Sequence, residues 1–513
     1  MRVPPPSKVR IASRKSHLAR AQSFAVGRLI RSFHPNVKLE FQFRESLGDK
    51  NQHDPLWKMP ERGVFTEDFL GDLVQDQVDL VVHSWKDLPV ESRPETEIVA
   101  TVPRADARDV LLLRRDALPA LPSLATLRLL SSSPRRGYNA KDFLARYLPA
   151  PRPKQIEFMD VRGNVPTRLR KLREHPSAHG LILAKAGLDR LLEAEGDDDF
   201  LPMQEELRAA LRDLTWMVLP VTENPGAAAQ GALAIEMKRG RDDLRALLAP
   251  IHCPRTFAEA NEERRVLKLH GGGCHQKIGT YVAQFPFGRF QSVRGETEAG
   301  LVLREVTLTT DAAPAPTPEV RPFPLSKADS LFYARELIPV SRPEHPAVFW
   351  VTRVEALPEA WRLGPDDYLW TSGLETWKNL ADRGLWVHGS NEGLGEGLGL
   401  QLGSFVPADL SRVKLGHEGA PEKDLRLIAT YRLTPLRKEE TPDLSSRTHF
   451  FWMSFSTFER ALELNPHIIG GRHACGPGNT HDLLRERLGA GVSIEVFLNY
   501  NAFLRKYAKG TDT

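Results

Sequence analysis

The stretch VDLVVHSWKDLPV (Val78–Val90) carries a short apolar run, Val78–Val82, directly into a polar turn that sets Lys86 beside Asp87. Five residues are too few for an amphipathic helix, so the run reads as a buried strand. The same design recurs on both sides of it. Upstream, KVRIASRKSHLARAQSFAVGRLI gives a strand at Val9–Ala12, then a helix with Leu18, Ala21, Ala25 and Leu29 on one face and Ser13 or Ser16 as its cap. Downstream, TLRLLSSSPRRGYNAKDFLARYL and IEFMDVRGNVPTRLRKLRE both run from strand through polar turn to helix, with Asn164 as a cap and Pro166 in a first turn. HGLILAKAGLDRLLEA is a further strand-to-helix step. Strands alternating with helices predict α/β domains with mainly parallel sheets, whose ligands sit at the carboxyl ends of the strands. The arginines, serines and the Lys86–Asp87 pair are predicted to fall there.

Composition narrows the classes. The 513 residues allow several domains, and 41% hydrophobic with 27% charged residues is ordinary for a globular protein. A net charge of +4 does not call for nucleic acid. No apolar run reaches the length of a membrane span, and MRVPPPSKVR has no signal-peptide core, so the expectation is a cytoplasmic protein. Three scattered cysteines, Cys253, Cys274 and Cys475, argue against a disulfide framework. His252, Cys253, His270 and His275 match no standard zinc spacing, and no metal is expected. A P-loop, a dinucleotide-binding glycine turn and a nucleophile elbow are all absent. Arginine-dense SSSPRRG (Ser131–Gly137) and VRGNVPTRLRKLRE (Val161–Glu174) would suit a ligand with many carboxylates or phosphates, or would form solvated helix faces.

KLHGGGCHQKIGTY (Lys268–Tyr281) places Cys274 behind three glycines, as a reactive thiol or as a bystander in a loop. Thr309–Asp329 is Pro/Ala-rich and reads as an extended linker. Beyond it, YLWTSGLETWKNLADRG and HFFWMSFSTFERALEL again show strand, small polar turn and helix, and the likeness of the two suggests paired lobes.

Ten segments between about residues 8 and 310 resemble, in order, the hydroxymethylbilane synthase (porphobilinogen deaminase) family: IASRKSHLARAQ, GDK, GVFTEDF, VDLVVHSWKDLPVE, PRADARDVLL, SSSPRRG, VRGNVPTRLRKL, LILAKAGLDRL, AAAQGALAIE and GGGCHQKIGTY. The resemblance implies head-to-tail condensation of porphobilinogen into a linear tetrapyrrole, with ammonia released at each step. It implies a dipyrromethane cofactor held by a thioether to Cys274, and Asp87 as the catalytic carboxylate. Lys86, Ser132, Ser133, Arg135, Arg136, Arg162, Arg168, Arg190 and Gln230 match cofactor contacts, and Arg14, Ser16, Arg62 and Phe65 match substrate contacts. The implied fold has two periplasmic-binding-protein-like α/β domains, residues 8–105 (completed by about 223–249) and 106–222, and a small α+β cysteine-bearing domain, 250–310. Ala229 and Gly271 depart from the family pattern, which usually has glycine and an acidic residue at these positions. The implied partners are porphobilinogen and the linear tetrapyrrole, without nucleic acid or membrane, in a monomer.

After a linker at 311–328, residues 329–513 resemble a divergent uroporphyrinogen-III synthase, a two-lobed α/β fold. The likeness rests on YLWTSGLETW, LIATYRLTP, FWMSFSTF and ACGPGNTHDLL, with Gly478 and Asn479 where threonines are usual. It implies a cleft lined by Thr371, Ser372, Tyr431, Ser454 and Ser456, and a bifunctional enzyme that makes and then cyclises the linear product. The alternatives are a deaminase with a non-catalytic second module, and a solute-binding protein.

Overall fold

The computed structural model describes residues 4–45, 67–272, 276–310, 319–326, 331–395, 402–422, 425–489 and 491–508. Arg62, Phe65 and Cys274 lie outside them. The chain divides into two compact units, Met1–Gln284 with Gln291–Val306, and Phe285–Phe290 with Thr307–Thr513. No described helix is long and apolar enough to cross a membrane.

The first unit is built on two five-stranded sheets of the same design. The first contains β1 (Lys8–Arg14), β2 (Lys38–Arg44), β3 (Leu80–Ser84), β4 (Thr96–Ala100) and β10 (Leu233–Lys238), in the order β2-β1-β3-β10-β4. The second contains β5 (Asp109–Arg114), β6 (Thr126–Leu130), β7 (Gln155–Met159), β8 (Gly180–Ala184) and β9 (Leu214–Val218), in the order β7-β6-β8-β5-β9. In each, one strand runs against its neighbours: β10 against β3 and β4, and β5 against β8 and β9. That strand is also where the chain changes sheet. It enters the second sheet along β5 and returns to the first along β10, which places two crossing segments, residues 101–108 and 219–232, side by side. Ala105 N–H donates to Gly231 O at 3.2 Å. Gly231 has φ +86°, and a Cβ there would collide with the Ala105 carbonyl, so the crossing requires glycine.

Local sequence explains the elements. The helix His17–Phe33 buries Val26 and Ile30 against Val9, Ile11, Leu80 and Val82, and Ser16 caps it by accepting from Ala19 N–H. Ser13, the alternative cap, is instead fully buried and directs its hydroxyl to the Arg14 and Ala19 carbonyls. Ser133 and Asn164 cap the helices Pro134–Tyr147 and Val165–Glu174. Following β10, the helix Pro254–Leu269 precedes a three-stranded sheet of β11 (Gly279–Phe285), β12 (Gly288–Glu296) and β13 (Val302–Thr309).

The second unit holds two further sheets. One orders β15 (Tyr333–Leu337), β20 (Arg426–Pro435), β19 (Ser411–His417), β16 (Ala347–Val351), β17 (Tyr368–Thr371) and β18 (Gly389–Ser390). All its neighbours are parallel except β15, which pairs antiparallel with β20. The other is fully parallel: β14 (Pro322–Phe323), β21 (His449–Trp452), β22 (Arg472–Cys475) and β23 (Ile494–Val496). The stretch expected to be linker therefore contributes a strand. Phe323 is 3% exposed and packs with Phe332, Phe450 and Trp452, an apolar anchor that Pro/Ala-rich composition concealed. Because β14 precedes the six-stranded sheet in the chain and β21 follows it, one sheet is inserted within the other.

Truncating Phe323 to Ala is expected to destabilise this unit by about 3–5 kcal/mol, measured by denaturant unfolding of the full chain. A residue in a solvated linker would leave the midpoint unchanged.

Candidate active site

The two crossing segments meet the polar turns of both sheets at one carboxylate. Asp109, the first residue of β5, is completely buried. It accepts Arg135 Nη2 at 2.9 Å, Arg136 Nη2 at 2.8 Å, Asn224 Nδ2 at 3.0 Å and Gln230 Nε2 at 2.9 Å. Burial alone would raise its pKa, but the two guanidiniums outweigh that and hold the carboxylate well below its ordinary range. Gln230 also donates to Ala107 O, and its Oε1 accepts Lys86 Nζ at 3.1 Å. A chain of hydrogen bonds thus runs from the second sheet to the turn that carries Asp87.

A second buried pair fixes the turn preceding Gln230. Glu263 accepts both Nη atoms of Arg104, at 2.7 and 2.9 Å, and also Ala229 N–H at 2.7 Å and Val282 N–H at 2.8 Å. Arg104 Nε donates to Gln230 O at 2.9 Å. Ala229 has φ +63°, a left-handed conformation that a glycine would adopt at lower cost; Glu263 and Arg104 grip the turn from both sides. Sequence reading passed over Asp109, Glu263 and Arg104. The only signal for two of them was the charged run PRADARD at a strand entrance, which resembles a solvated turn.

The candidate residues divide into those committed to the protein's own turns and those gathered in a positive cluster. Arg135 is 4% exposed and committed to Asp109 and Pro225 O, a structural position instead of the ligand-gripping one expected. Ser132 exchanges hydrogen bonds with Val161 N–H and O, and Ser133 caps its helix, so both hydroxyls hold turns. Arg190 Nη2 donates to Gly231 O, and burial brings its pKa down to about 10 against the opposing Asp189.

The rest form a positive cluster around Asp87. Burial lowers Arg168 to about 10, with Arg136 and Arg162 adding to the effect and Asp87 opposing it. Burial likewise brings Lys86 to about 8, opposed by Asp87 and Asp109 and assisted by Arg136 and Arg135. The Arg136 Nε is buried with no hydrogen-bond partner among the described residues. Asp87 itself is exposed and lines a pocket of about 60 Å³ with Arg14, Ser16, Gln22, His83 and Ser84. Gly271 and Gly272, at φ +104° and +65°, lead toward Cys274. A Cβ on Gly272 would come within 3.3 Å of Val90, placing the root of the cysteine loop beside the turn that follows Asp87. At φ +104° Gly271 holds a backbone conformation that the acidic residue usual there would adopt only with strain, and a Cβ would also meet Gln276 Nε2, which donates to His270 O.

In the second unit, Thr371 is fully buried with Oγ1 toward Gly389 O at 3.4 Å, so it belongs to the core and not to a cleft. Ser372 Oγ donates to Thr352 O at 2.9 Å, and Thr352 also hydrogen-bonds the Tyr431 phenol. Ser454 caps the helix Phe455–Leu464, and Ser456 O accepts the Tyr333 hydroxyl at 3.3 Å.

The duplicated sheet, the double crossing and a cationic cluster around Asp87 describe an α/β fold whose strand ends are suited to a polyanionic ligand. A family model described as porphobilinogen deaminase, dipyrromethane cofactor binding domain, matches residues 9–246. The chain belongs to the porphobilinogen deaminase family. It is 34% identical over 273 residues to the porphobilinogen deaminase of Syntrophomonas wolfei, covering 53% of this chain and 79% of that protein. Identity is also 34% over 278 residues to the Burkholderia orbicola deaminase (54% and 74% covered) and over 280 residues to that of Thiobacillus denitrificans (54% and 81%). Among solved structures, the periplasmic aliphatic sulphonate binding protein SsuA of Escherichia coli aligns at TM-score 0.25 and 12% identity, covering 52% of this chain and 71% of SsuA.

The N-terminal half is a porphobilinogen deaminase, and its cofactor is dipyrromethane. The residues present fit such a group. Its carboxylates suit Lys86, Arg136, Arg162 and Arg168, whose charges exceed what Asp87 and Asp109 neutralise, and the Arg136 Nε is a buried donor.

Lys86 loses its proton as pH rises through about 8, and its grip on a carboxylate goes with it. Turnover of porphobilinogen is expected to fall across that range in the wild type and to stay level in Lys86→Arg, whose side chain remains charged. Steady-state kinetics against pH will show whether the two profiles separate.

Proposed function

We propose that the N-terminal half condenses porphobilinogen head to tail into linear hydroxymethylbilane, releasing ammonia at each step, and that the second unit closes this product to uroporphyrinogen III. The observation that carries the first part is an exposed carboxylate, Asp87, set among Lys86, Arg136, Arg162 and Arg168 at the strand ends of both sheets. Loss of ammonia leaves an electron-poor methylene on a pyrrole. Asp87 stabilises the positive charge that develops and moves the proton, while Arg14 and Ser16 orient the incoming carboxylates from the pocket they share with it.

The dipyrromethane, attached through Cys274, supplies the pyrrole end on which the chain is extended. Lys86, Arg136, Arg162 and Arg168 hold its carboxylates, and Gln230 keeps Lys86 in place. Ser132, Ser133, Arg135 and Arg190 act through the turns they fix. The position of Gly272 beside Val90 supports an anchor close to Asp87.

For the second unit, two α/β sheets, with Ser372 and Tyr431 on one and Ser454 and Ser456 following β21 of the other, support a two-lobed uroporphyrinogen-III synthase-like module. Tethering it to the deaminase raises the chance that the linear product is captured before it closes spontaneously to the wrong isomer. The buried Thr371 favours a second reading, in which this unit is a non-catalytic partner.

Incubation of the full chain with porphobilinogen alone, followed by oxidation and isomer analysis, is expected to give mainly uroporphyrin III. Isomer I alone would leave only the deaminase. Asp87→Ala is expected to lower turnover by at least about a hundredfold with unchanged circular dichroism; turnover near wild type would remove Asp87 from the chemistry.

A further inference from the structure

In the second unit, β15 and β20 form an antiparallel ribbon at the edge of the six-stranded sheet, with Arg335 opposite Leu433 and Leu337 opposite Tyr431. Residues two apart share a face, so Tyr333, Arg335, Leu337, Tyr431 and Leu433 lie together on one side. At one end of that face, Tyr333 donates to Ser456 O, in the turn after β21 of the other sheet. At the other end, Tyr431 meets Thr352, immediately past the carboxyl end of β16, and Ser372 past β17 donates to the same Thr352. The face therefore reaches from the strand ends of one sheet to those of the other, where α/β folds place ligands.

Two guanidiniums stand along it. Arg335 projects from the ribbon, and Arg353 follows Thr352. The charges bearing on Arg335 are Arg353, Tyr431 and Glu355, and the single carboxylate among them is 3.8 Å from Arg353 Nε. Burial and then Arg353 lower the Arg335 pKa, while burial raises that of Tyr431, whose phenol is bonded to Thr352. Between the charges, Leu337 leaves 70% of its surface exposed. Like charges brought together beside an exposed apolar side chain suit a ligand that carries carboxylates on a flat apolar ring.

We infer that Arg335 and Arg353 form a carboxylate-binding pair on this ribbon, with Leu337 as the surface for a pyrrole ring. That the ligand is a tetrapyrrole rests on the cyclase reading; the anion-binding pair does not.

The test compares the full chain with Arg335→Gln/Arg353→Gln and with Arg335→Lys/Arg353→Lys. Each is measured for tryptophan quenching by uroporphyrin III, an octacarboxylate, and for the isomer III fraction per porphobilinogen consumed. The glutamine pair is expected to weaken uroporphyrin binding at least tenfold and to lower the isomer III fraction, and the lysine pair to restore most of the binding. Both residues project from the surface, so circular dichroism should be unchanged; if the glutamine pair unfolds, the lysine pair alone decides, and binding within threefold of wild type with a weaker salt dependence supports the assignment. If wild type forms isomer III while the glutamine pair binds and cyclises as well as wild type, the assignment falls and the cyclase reading stands. If wild type forms only isomer I but the glutamine pair still loses uroporphyrin binding, the cyclase reading falls and the anion pair stands. Isomer I alone with unchanged binding overturns both.

Discussion

The N-terminal half depends on one buried carboxylate. Asp109 is the point at which the chain passes from the first sheet to the second, and four side chains from two segments, the helix start at Arg135–Arg136 and the returning crossing with Asn224 and Gln230, converge on it. Two guanidiniums sharing one carboxylate leave the group positive overall, and removing the carboxylate would strand both charges in the interior. Disruption of that kind typically costs about 3–5 kcal/mol. The arrangement also serves chemistry. It fixes Gln230, Gln230 fixes Lys86, and Lys86 stands beside Asp87. Fold and site are set by the same interaction.

Glu263 and Arg104 extend this order to the helix and strand on either side of Cys274 in the sequence. One carboxylate joins the helix Pro254–Leu269 to β11 and to the Ala229 turn, so the cysteine-bearing segment and the sheet crossing share a fixed reference. A growing polycarboxylate requires a site whose cations are positioned before it arrives, because reorganising buried arginines for each added unit would be costly. Arg135 is held by Asp109, and Lys86 by Gln230.

Much of this was legible in the sequence. VDLVVHSWKD, SSSPRRG and VRGNVPTR gave strand, turn and helix in the right places, because apolar runs and caps act over a few residues. The cationic neighbourhood of Asp87 was also visible, since its members sit at strand ends. Which arginines face a ligand was not, because Arg135 and Arg136 are adjacent in sequence yet differ in whether a buried donor remains over. Asp109 and Glu263 were hidden for the same reason: their partners lie 19 to 159 residues away, beyond any local pattern. Pro322–Phe323 was misread because composition pointed to a linker, while a single aromatic side chain and a parallel partner decided otherwise.

The account turns on a covalently anchored cofactor beside Asp87, and intact mass spectrometry of the purified full chain tests it most directly. It predicts a mass above that of the polypeptide by one dipyrromethane, lost together with activity in Cys274→Ser. An unmodified wild-type chain with full activity would contradict it.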